Sequence, residues 1–248
     1  MYDNQIEKIE NLEFASPLQY LYLQNNQIAE IPDMSVTNLT KLFLDENRIS
    51  YVAGLDKCTK LEELYVASQS LPRYSSLTFD PASLEAIART LQVLDISGNG
   101  IQTLSPFIML TGLRKLFAGK NEIADITELE EIVGLPRLEE AVFSENPCCS
   151  IRKYRDYVIG ASSDALQMLD EVPVQKHQQV AIRGLMAHRR RLGTATVEPV
   201  LTSAQHQAIN EYDRSVRTDN SSLEDIEEGG GLDGDQNESG SEDRSLQD

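Results

Sequence analysis

A repeated pattern of leucines and one polar residue constrains this chain more than any other feature of its sequence. The pattern Leu-x-x-Leu-x-Leu-x-x-Asn-x-Ile runs from Leu18 to Ile28 and again from Leu39 to Ile49. Its polar position recurs along the chain at Asn4, Asn26, Asn47, Gln69, Asn99, Asn121 and Asn146. One such unit is too short to bury its own apolar side chains, so neighbouring units must stack on one another. The chain is therefore predicted to form a solenoid.

The spacing within each unit predicts how the solenoid is built. In Leu-x-Leu the two leucines point inward from a short strand and the residue between them points outward, because side chains alternate along a strand. Stacked units then form a parallel sheet on the concave side. Short repeats with this pattern are typical of leucine-rich repeats. We expect an α/β solenoid of leucine-rich repeats over residues 1–146.

The third full repeat departs from the pattern in two ways. Gln69 replaces the asparagine whose side chain bonds the backbone of each turn, so we expect the ladder of asparagines to be interrupted there. The interval from Gln69 to Asn99 is also the longest between successive polar positions, and it contains Asp80 followed by Pro81. An N-cap carboxylate followed by proline favours a helix start. The extra residues are therefore predicted to form a helix on the convex side.

Both ends of the repeat array carry a prediction of their own. Met1 occupies a strand leucine position, so the chain opens within a repeat and we expect further repeats upstream. After Asn146, the segment from Tyr154 to Ile159 resembles the C-terminal cap of intracellular leucine-rich repeat proteins, and a cap is expected over residues 147–173. A helical extension is expected over 174–217, with an apolar helix face made by Ala181, Ile182, Leu185 and Met186.

The charge of the chain is concentrated at one end. The formal net charge is −18, and residues 219–248 hold 11 acidic residues and one basic residue. Residues 218–248 are therefore predicted to be a disordered acidic tail, since this composition cannot bury enough apolar surface to order itself. The overall charge argues against nucleic acid or an anionic membrane as a partner.

The expected location is the cytoplasm. No apolar run reaches the roughly 18 residues that a membrane-spanning helix needs, and the N-terminal segment does not form a signal peptide. The three cysteines cannot form the disulfide framework of a small secreted fold. A reducing compartment is the simpler interpretation.

The outward residues of the predicted strands are the candidate binding site. The position between the two strand leucines is occupied in successive repeats by Tyr22, Phe43, Tyr65, Asp95, Phe117 and Val142. Two residues earlier stand Tyr20, Lys41 and Lys115, and flanking charges such as Asp45 would help to orient a partner. Aromatic side chains exposed in one strip favour a surface that binds a protein. The alternative is structural, because aromatic residues also favour strands and stack along a solenoid.

The sequence contains no motif that supports catalysis, a metal site or a cofactor. The glycines match no phosphate-binding loop, and the histidines and cysteines do not have the spacing of zinc ligands. The paired carboxylates within the repeats occupy outward positions. We therefore expect a protein that is not an enzyme.

Several segments together resemble a known family. They are similar to the leucine-rich repeat regulatory subunits of protein phosphatase 1, and the resemblance extends over about residues 4–191. The segments that carry it are Leu61–Pro72, Leu77–Pro81, Leu91–Ser97, Asn146–Cys148 and Lys153–Asp156. It implies a noncatalytic regulator whose partner is the phosphatase catalytic subunit, associated with centrosomes and microtubules. The short docking peptide of such regulators is absent, since the nearest string, Arg48–Tyr51, has Ile49 at a core position. The alternative is a microtubule- or cilium-associated scaffold that binds tubulin or a dynein chain, to which the Arg189–Arg191 cluster could contribute.

Overall fold

A computed structural model describes residues 1–12 and 14–191 of the chain. Short strands recur once per repeat and lie side by side in one sheet. In their order across the sheet, these strands are β1 (Tyr20–Tyr22), β2 (Lys41–Phe43), β4 (Glu63–Tyr65), β6 (Val93–Asp95), β7 (Lys115–Phe117), β8 (Glu140–Val142), β9 (Met168–Leu169) and β10 (Val172–Pro173). From β1 to β9 all neighbours are parallel, and only β10 runs antiparallel to its neighbour.

The opposite side of the solenoid carries short and varied elements. A second, two-stranded parallel sheet pairs β3 (Tyr51–Val52) with β5 (Thr78–Phe79). The helices of this side are α1 (Pro81–Ile87), a 3-10 turn at Ser105–Phe107 and α2 (Glu128–Val133). Helix α1 begins where the sequence predicted, because the Asp80 side chain accepts a hydrogen bond from the Ser83 N–H at 2.9 Å.

The core lies between these two sides and consists of stacked rows of apolar side chains. The central residue of each repeat strand points inward and is buried, completely so at Leu42, Leu64, Leu94 and Leu116. The residues on either side of it point outward, as the period of two requires. The α/β solenoid of leucine-rich repeats with a parallel concave sheet is thus confirmed.

The polar ladder is continuous, and the expected interruption at Gln69 is wrong. Its side-chain oxygen accepts from the Ile49 N–H at 3.0 Å, just as the oxygen of Asn47 accepts from the Ile28 N–H at 3.0 Å. Its side-chain nitrogen donates to the Leu44 carbonyl at 2.9 Å. Glutamine carries the same amide as asparagine, and its additional methylene is accommodated within the turn.

The last repeat is covered by a helix and a hairpin. A 3-10 turn at Pro147–Ser150 leads to α3 (Tyr154–Ala161), and β9 then continues the main sheet. The Tyr154 hydroxyl donates to Asp170 Oδ2 at 2.9 Å, while Asp170 Oδ1 accepts from the Phe143 N–H of the last repeat at 2.7 Å. These bonds hold the segment that begins at Tyr154 against the last repeat.

Helix α4 (Lys176–Arg191) follows the hairpin and packs on α3. The side chains that face the cap are Gln179, Ile182 and Met186, and the Gln179 amide donates to the Ser163 carbonyl at 2.9 Å. The predicted apolar face is wrong in part, because Leu185 is 61% exposed. The side chains of the arginine cluster at 189–191 are not described. The rest of the predicted extension and the predicted acidic tail lie in residues 192–248, outside the described part of the chain.

Candidate protein-binding face

The strand pairing places the predicted site residues in regular rows across the concave sheet. The register aligns Tyr22 with Phe43, then with Tyr65, Asp95, Phe117 and Val142, and this set is called the central row below. The same register aligns Tyr20, Lys41, Glu63, Val93, Lys115 and Glu140, which form the first row. All the sequence-predicted residues therefore lie on one face.

Three aromatic rings of the central row stack on one another. The ring centroids of Tyr22 and Phe43 are 4.6 Å apart with an interplanar angle of 11°, and those of Phe43 and Tyr65 are 4.6 Å apart at 6°. This repeat matches the spacing of neighbouring strands, about 4.7–4.9 Å, so the backbone itself sets the distance between the rings. The stack ends at Tyr65, because the next strand presents Asp95, and Phe117 stands one strand further on.

Stacking covers the ring faces but leaves the stack exposed to solvent along its outer side. Tyr22 is 43% exposed, and its first-row neighbour Tyr20 is 49% exposed. Phe43, Tyr65, Phe117 and Val142 are half-buried. The structural role of these residues and a binding role are therefore compatible, since the rings stabilise one another and still present an apolar strip.

The lysines of the first row are already paired with carboxylates on neighbouring strands. Lys41 Nζ lies 2.8 Å from Glu63 Oε1, and Lys115 Nζ lies 2.7 Å from Glu140 Oε2. The hydrogen bond that Lys41 donates to Glu63 raises the pKa of Lys41. The Tyr65 hydroxyl donates to the other oxygen of Glu63 at 3.2 Å, which links the first row to the aromatic stack. The first row is thus close to neutral.

Two carboxylates beside the stack have no such partner. Asp45 Oδ1 accepts from the Ala67 N–H at 2.8 Å, and Asp95 Oδ1 accepts from the Ser97 N–H at 3.0 Å. Within residues 1–12 and 14–191 neither forms an ion pair with a lysine or arginine. Burial raises the pKa of Asp45 to about 6, and the nearby charge of Asp95 adds to that increase. The face therefore carries unbalanced negative charge next to Tyr65.

From the sequence, Asp45 is predicted only to be a charged residue beside the binding strip. The signal was its place two residues after Phe43, which puts it on the same face as the central row. Its burial depends on the strand that packs beside it, which the pattern within one repeat does not describe.

A groove that the sequence did not predict lies along the edge of the main sheet where its strands begin. It encloses about 760 Å³, and its lining includes the cations Lys60, Arg89, Arg114 and Arg137. Arg114 is paired with Glu139 at 2.6 Å, and Glu62 also lines the groove. The available signal was the recurrence of basic residues next to the first leucine of a repeat.

The cap contains two cysteines in different surroundings. Cys148 is fully buried, whereas Cys149 is half-buried and its thiol donates to the Phe143 carbonyl at 3.0 Å. Over the described part of the chain, no group of three or more histidine, cysteine or acidic side chains could hold a metal ion. The same part contains no helix both long and apolar enough to cross a membrane.

Comparison with known proteins finds the repeat and several proteins that share it. The family model for leucine-rich repeats in two copies matches residues 89–131. The chain is 36% identical to human (Homo sapiens) cilia- and flagella-associated protein 410 over 91 residues. The aligned part is 36% of this chain and 35% of that protein. It is 29% identical over 123 residues to the Arabidopsis thaliana protein phosphatase 1 regulatory inhibitor subunit PPP1R7 homolog, covering 49% of this chain and 35% of that protein.

A chain in the crystal structure of the Drosophila melanogaster SNF/U2A′ complex is also similar. Its TM-score is 0.42 at 16% identity, over 77% of this chain and 87% of that one. The present chain spans about a third of the length of the two curated relatives.

Proposed function

We propose that this chain, a leucine-rich repeat protein, is a noncatalytic module that binds a protein partner with its concave face. The observation that carries the proposal is the aromatic stack of Tyr22, Phe43 and Tyr65, which is partly exposed although it fills no core. Contiguous apolar surface of this kind marks interaction sites, and aromatic residues are enriched among those that contribute most to binding.

The shape of the face favours a protein over a small ligand. The rows extend across six strands, from Tyr22 to Val142, and the surface is open. Small-molecule sites are enclosed and bury most of their ligand, whereas protein interfaces are broad and flat. The site residues proposed are those of the central row, Tyr22, Phe43, Tyr65, Asp95, Phe117 and Val142, together with Tyr20, Lys41 and Lys115.

The partner proposed first is the catalytic subunit of protein phosphatase 1, which this chain would regulate. The name of the Arabidopsis relative supports it, as does the resemblance of residues 4–191 to regulatory subunit 42 of that phosphatase. Ile49, in the string nearest to a docking peptide, is fully buried and its N–H is held by Gln69. That string could not bind as an extended peptide without unfolding a repeat, so contact is proposed through the concave face.

The second candidate is a microtubule- or cilium-associated scaffold with tubulin or a dynein chain as its partner. The observation that favours it is the 36% identity to cilia- and flagella-associated protein 410. Both candidates use the same face and imply a cytoplasmic location, at the centrosome or along microtubules. They differ in which protein is recovered with the chain.

Affinity capture with the full chain separates these candidates. The bait is wild type or the double variant Phe43→Ala/Tyr65→Ala, and the recovered phosphatase catalytic subunit, tubulin and dynein are quantified by mass spectrometry. We expect the phosphatase with the wild type and at least a tenfold loss with the double variant. Phe14→Ala is the matched control, because Phe14 is 93% exposed and lies outside the strand rows.

Far-UV circular dichroism must first show that the variants are folded. The capture experiment then separates the two candidates and tests the concave face. Recovery of tubulin or dynein in place of the phosphatase selects the scaffold. Equal recovery of every partner by wild type and the double variant refutes the concave face as the binding site.

A further inference from the structure

The central row has one interruption. Rings follow one another at the strand spacing from Tyr22 through Phe43 to Tyr65, and the next strand then presents the short carboxylate of Asp95. The strand after that returns to an aromatic residue, Phe117. A gap thus opens in the row above Asp95, with an aromatic residue on either side.

The width of this gap follows from the sheet. Tyr65 and Phe117 stand two strands apart, which is about 9.5 Å at the usual strand spacing. The observed stack places one ring every 4.6 Å, so the gap has room for one further planar group between the two aromatic residues. The face of Tyr65 that looks toward the gap is the open end of the stack.

The charges around the gap favour a cation in that place. Asp95 lies at its base, and Asp45 contributes a second carboxylate, close enough that the charge of Asp95 raises the pKa of Asp45. Each uses one oxygen to accept a backbone N–H, from Ser97 and Ala67 respectively, so each keeps another oxygen for a partner. The lysines nearest to them in the first row are held by Glu63 and Glu140 at 2.8 and 2.7 Å.

We propose that the gap between Tyr65 and Phe117 binds an arginine side chain of the protein partner, with the guanidinium stacked on Tyr65 and hydrogen-bonded to Asp95. This deepens the proposed function and rests on it. Arginine fits better than lysine, because a guanidinium is planar, stacks on aromatic faces, is weakly hydrated and bonds a carboxylate through two parallel N–H groups. The tyrosine ring is also held in place, since its hydroxyl bonds Glu63.

The test uses a small probe, so that it does not depend on knowing the partner. The full ¹⁵N-labelled chain is titrated with N-acetyl-arginine amide at constant ionic strength, and the amide signals of Ser97 and Ala67 are followed by NMR. The neutral isostere N-acetyl-citrulline amide and the lysine analogue serve as comparison probes. We expect saturable shifts at both amides with arginine, at least fivefold weaker binding of lysine and no saturable shift with citrulline.

Variants at two positions assign the site. Asp95→Asn keeps an acceptor for the Ser97 N–H and should weaken arginine binding at least fivefold. Asp125→Asn is the matched control with unchanged binding, because Asp125 Oδ1 likewise accepts from an N–H two residues on, that of Thr127, at 2.8 Å, outside the strand rows. Asp95→Phe should abolish binding by filling the gap.

Several results would overturn the proposal. They are the absence of saturable shifts with arginine, equal binding of arginine and lysine, saturable binding of citrulline, and unchanged binding by Asp95→Asn. A chain that captures its partner through Phe43 and Tyr65 but fails this titration retains the proposed function and loses only the arginine site.

Discussion

Replacing Asn121 by alanine should destabilise the solenoid more than the same replacement of Asn47. The two asparagines occupy the same ladder position, but their oxygens accept different numbers of bonds. Asn121 Oδ1 accepts from the N–H groups of both Asn99 and Ile101, at 2.9 and 3.0 Å, whereas Asn47 Oδ1 accepts only from that of Ile28, at 3.0 Å. All of these donors are buried, so each loses its partner when the asparagine is removed.

The side-chain nitrogens of Asn121 and Asn47 make equivalent hydrogen bonds, so their loss costs the two variants the same. Asn121 Nδ2 donates to the carbonyls of Ile96, Ala118 and Gly119, and Asn47 Nδ2 donates to those of Leu23, Leu44 and Asp45. Each of these carbonyls keeps a second donor when the asparagine is replaced. In Asn121→Ala the remaining donors to Ile96, Ala118 and Gly119 are Asn99, Asn146 and Gly98, in that order. In Asn47→Ala the remaining donors to Leu23, Leu44 and Asp45 are Asn26, Gln69 and Asn25. The variants therefore differ by one orphaned buried N–H group.

The expected magnitudes follow from that difference. An orphaned buried donor costs about 1–3 kcal/mol, and a lost hydrogen bond whose partner keeps another donor costs about 0.5 kcal/mol. The free energy of unfolding should then fall by about 3 kcal/mol for Asn47→Ala and about 5 kcal/mol for Asn121→Ala. Either value is a large fraction of the roughly 5–15 kcal/mol that stabilises a typical domain.

Urea unfolding followed by far-UV circular dichroism measures the effect. With a urea dependence of about 2 kcal/mol per molar, the unfolding midpoints of the two variants should differ by about 1 M. Asn38→Ala is the control, because Asn38 is half-buried and its side chain bonds the Ser16 carbonyl and Lys60 at the surface, so the stability of this variant should stay within about 0.5 kcal/mol of wild type. Equal midpoints for Asn47→Ala and Asn121→Ala would show that the additional orphaned N–H group does not destabilise the fold.

Four further predictions concern single positions. Burial raises the pKa of Asp45 from 3.8 to about 6, so the folded state binds the carboxyl proton more tightly than the unfolded state. The stability that this proton contributes is therefore lost as the pH rises through about 6. Asp45→Asn should therefore exceed the stability of wild type by about 2 kcal/mol at pH 7 and equal it near pH 3.5 in urea unfolding. Gly54→Ala should lose about 2 kcal/mol or more in thermal unfolding, since Gly54 has φ of +74° and a Cβ there would clash with the Pro32 carbonyl oxygen. Gly184→Ala, in open space on α4, should gain about 0.5–1 kcal/mol in the same assay. Tyr154→Phe should cost about 1–3 kcal/mol, because it removes a donor to Asp170, and amide hydrogen exchange at Phe143 should be faster.

The local arrangement of the solenoid was predictable because it depends on short-range rules. The period of two places Leu42 inward and Phe43 outward, and the length of the repeat brings equivalent residues of successive repeats into register. The start of α1 was predictable for the same reason, since its N-cap and its proline are adjacent in sequence. Each of these features needs information from only one or two repeats.

The errors arose where a residue was judged by its type without its neighbours. Gln69 differs from asparagine by one methylene, and its amide still bonds both the preceding repeat and its own turn. Leu185 has the spacing of an apolar face, yet α4 turns Gln179 and Arg183 toward the cap, where backbone carbonyls accept their hydrogen bonds. Both results depend on which polar groups the packing leaves within reach.

The repeat pattern alone predicts the fold, the inward or outward direction of the side chains in the repeat strands and the residues that share the concave face. Which of those residues are available to a partner depends on how the repeats pack together. The tertiary structure shows that Lys41 and Lys115 are held by carboxylates on adjacent strands, that Asp45 is desolvated, and that the aromatic stack stops at Asp95. Inward and outward orientation follows from the alternation of side chains along a single strand. Charge pairing, burial and ring stacking instead depend on side chains that lie a whole repeat apart in sequence and meet only when the repeats stack.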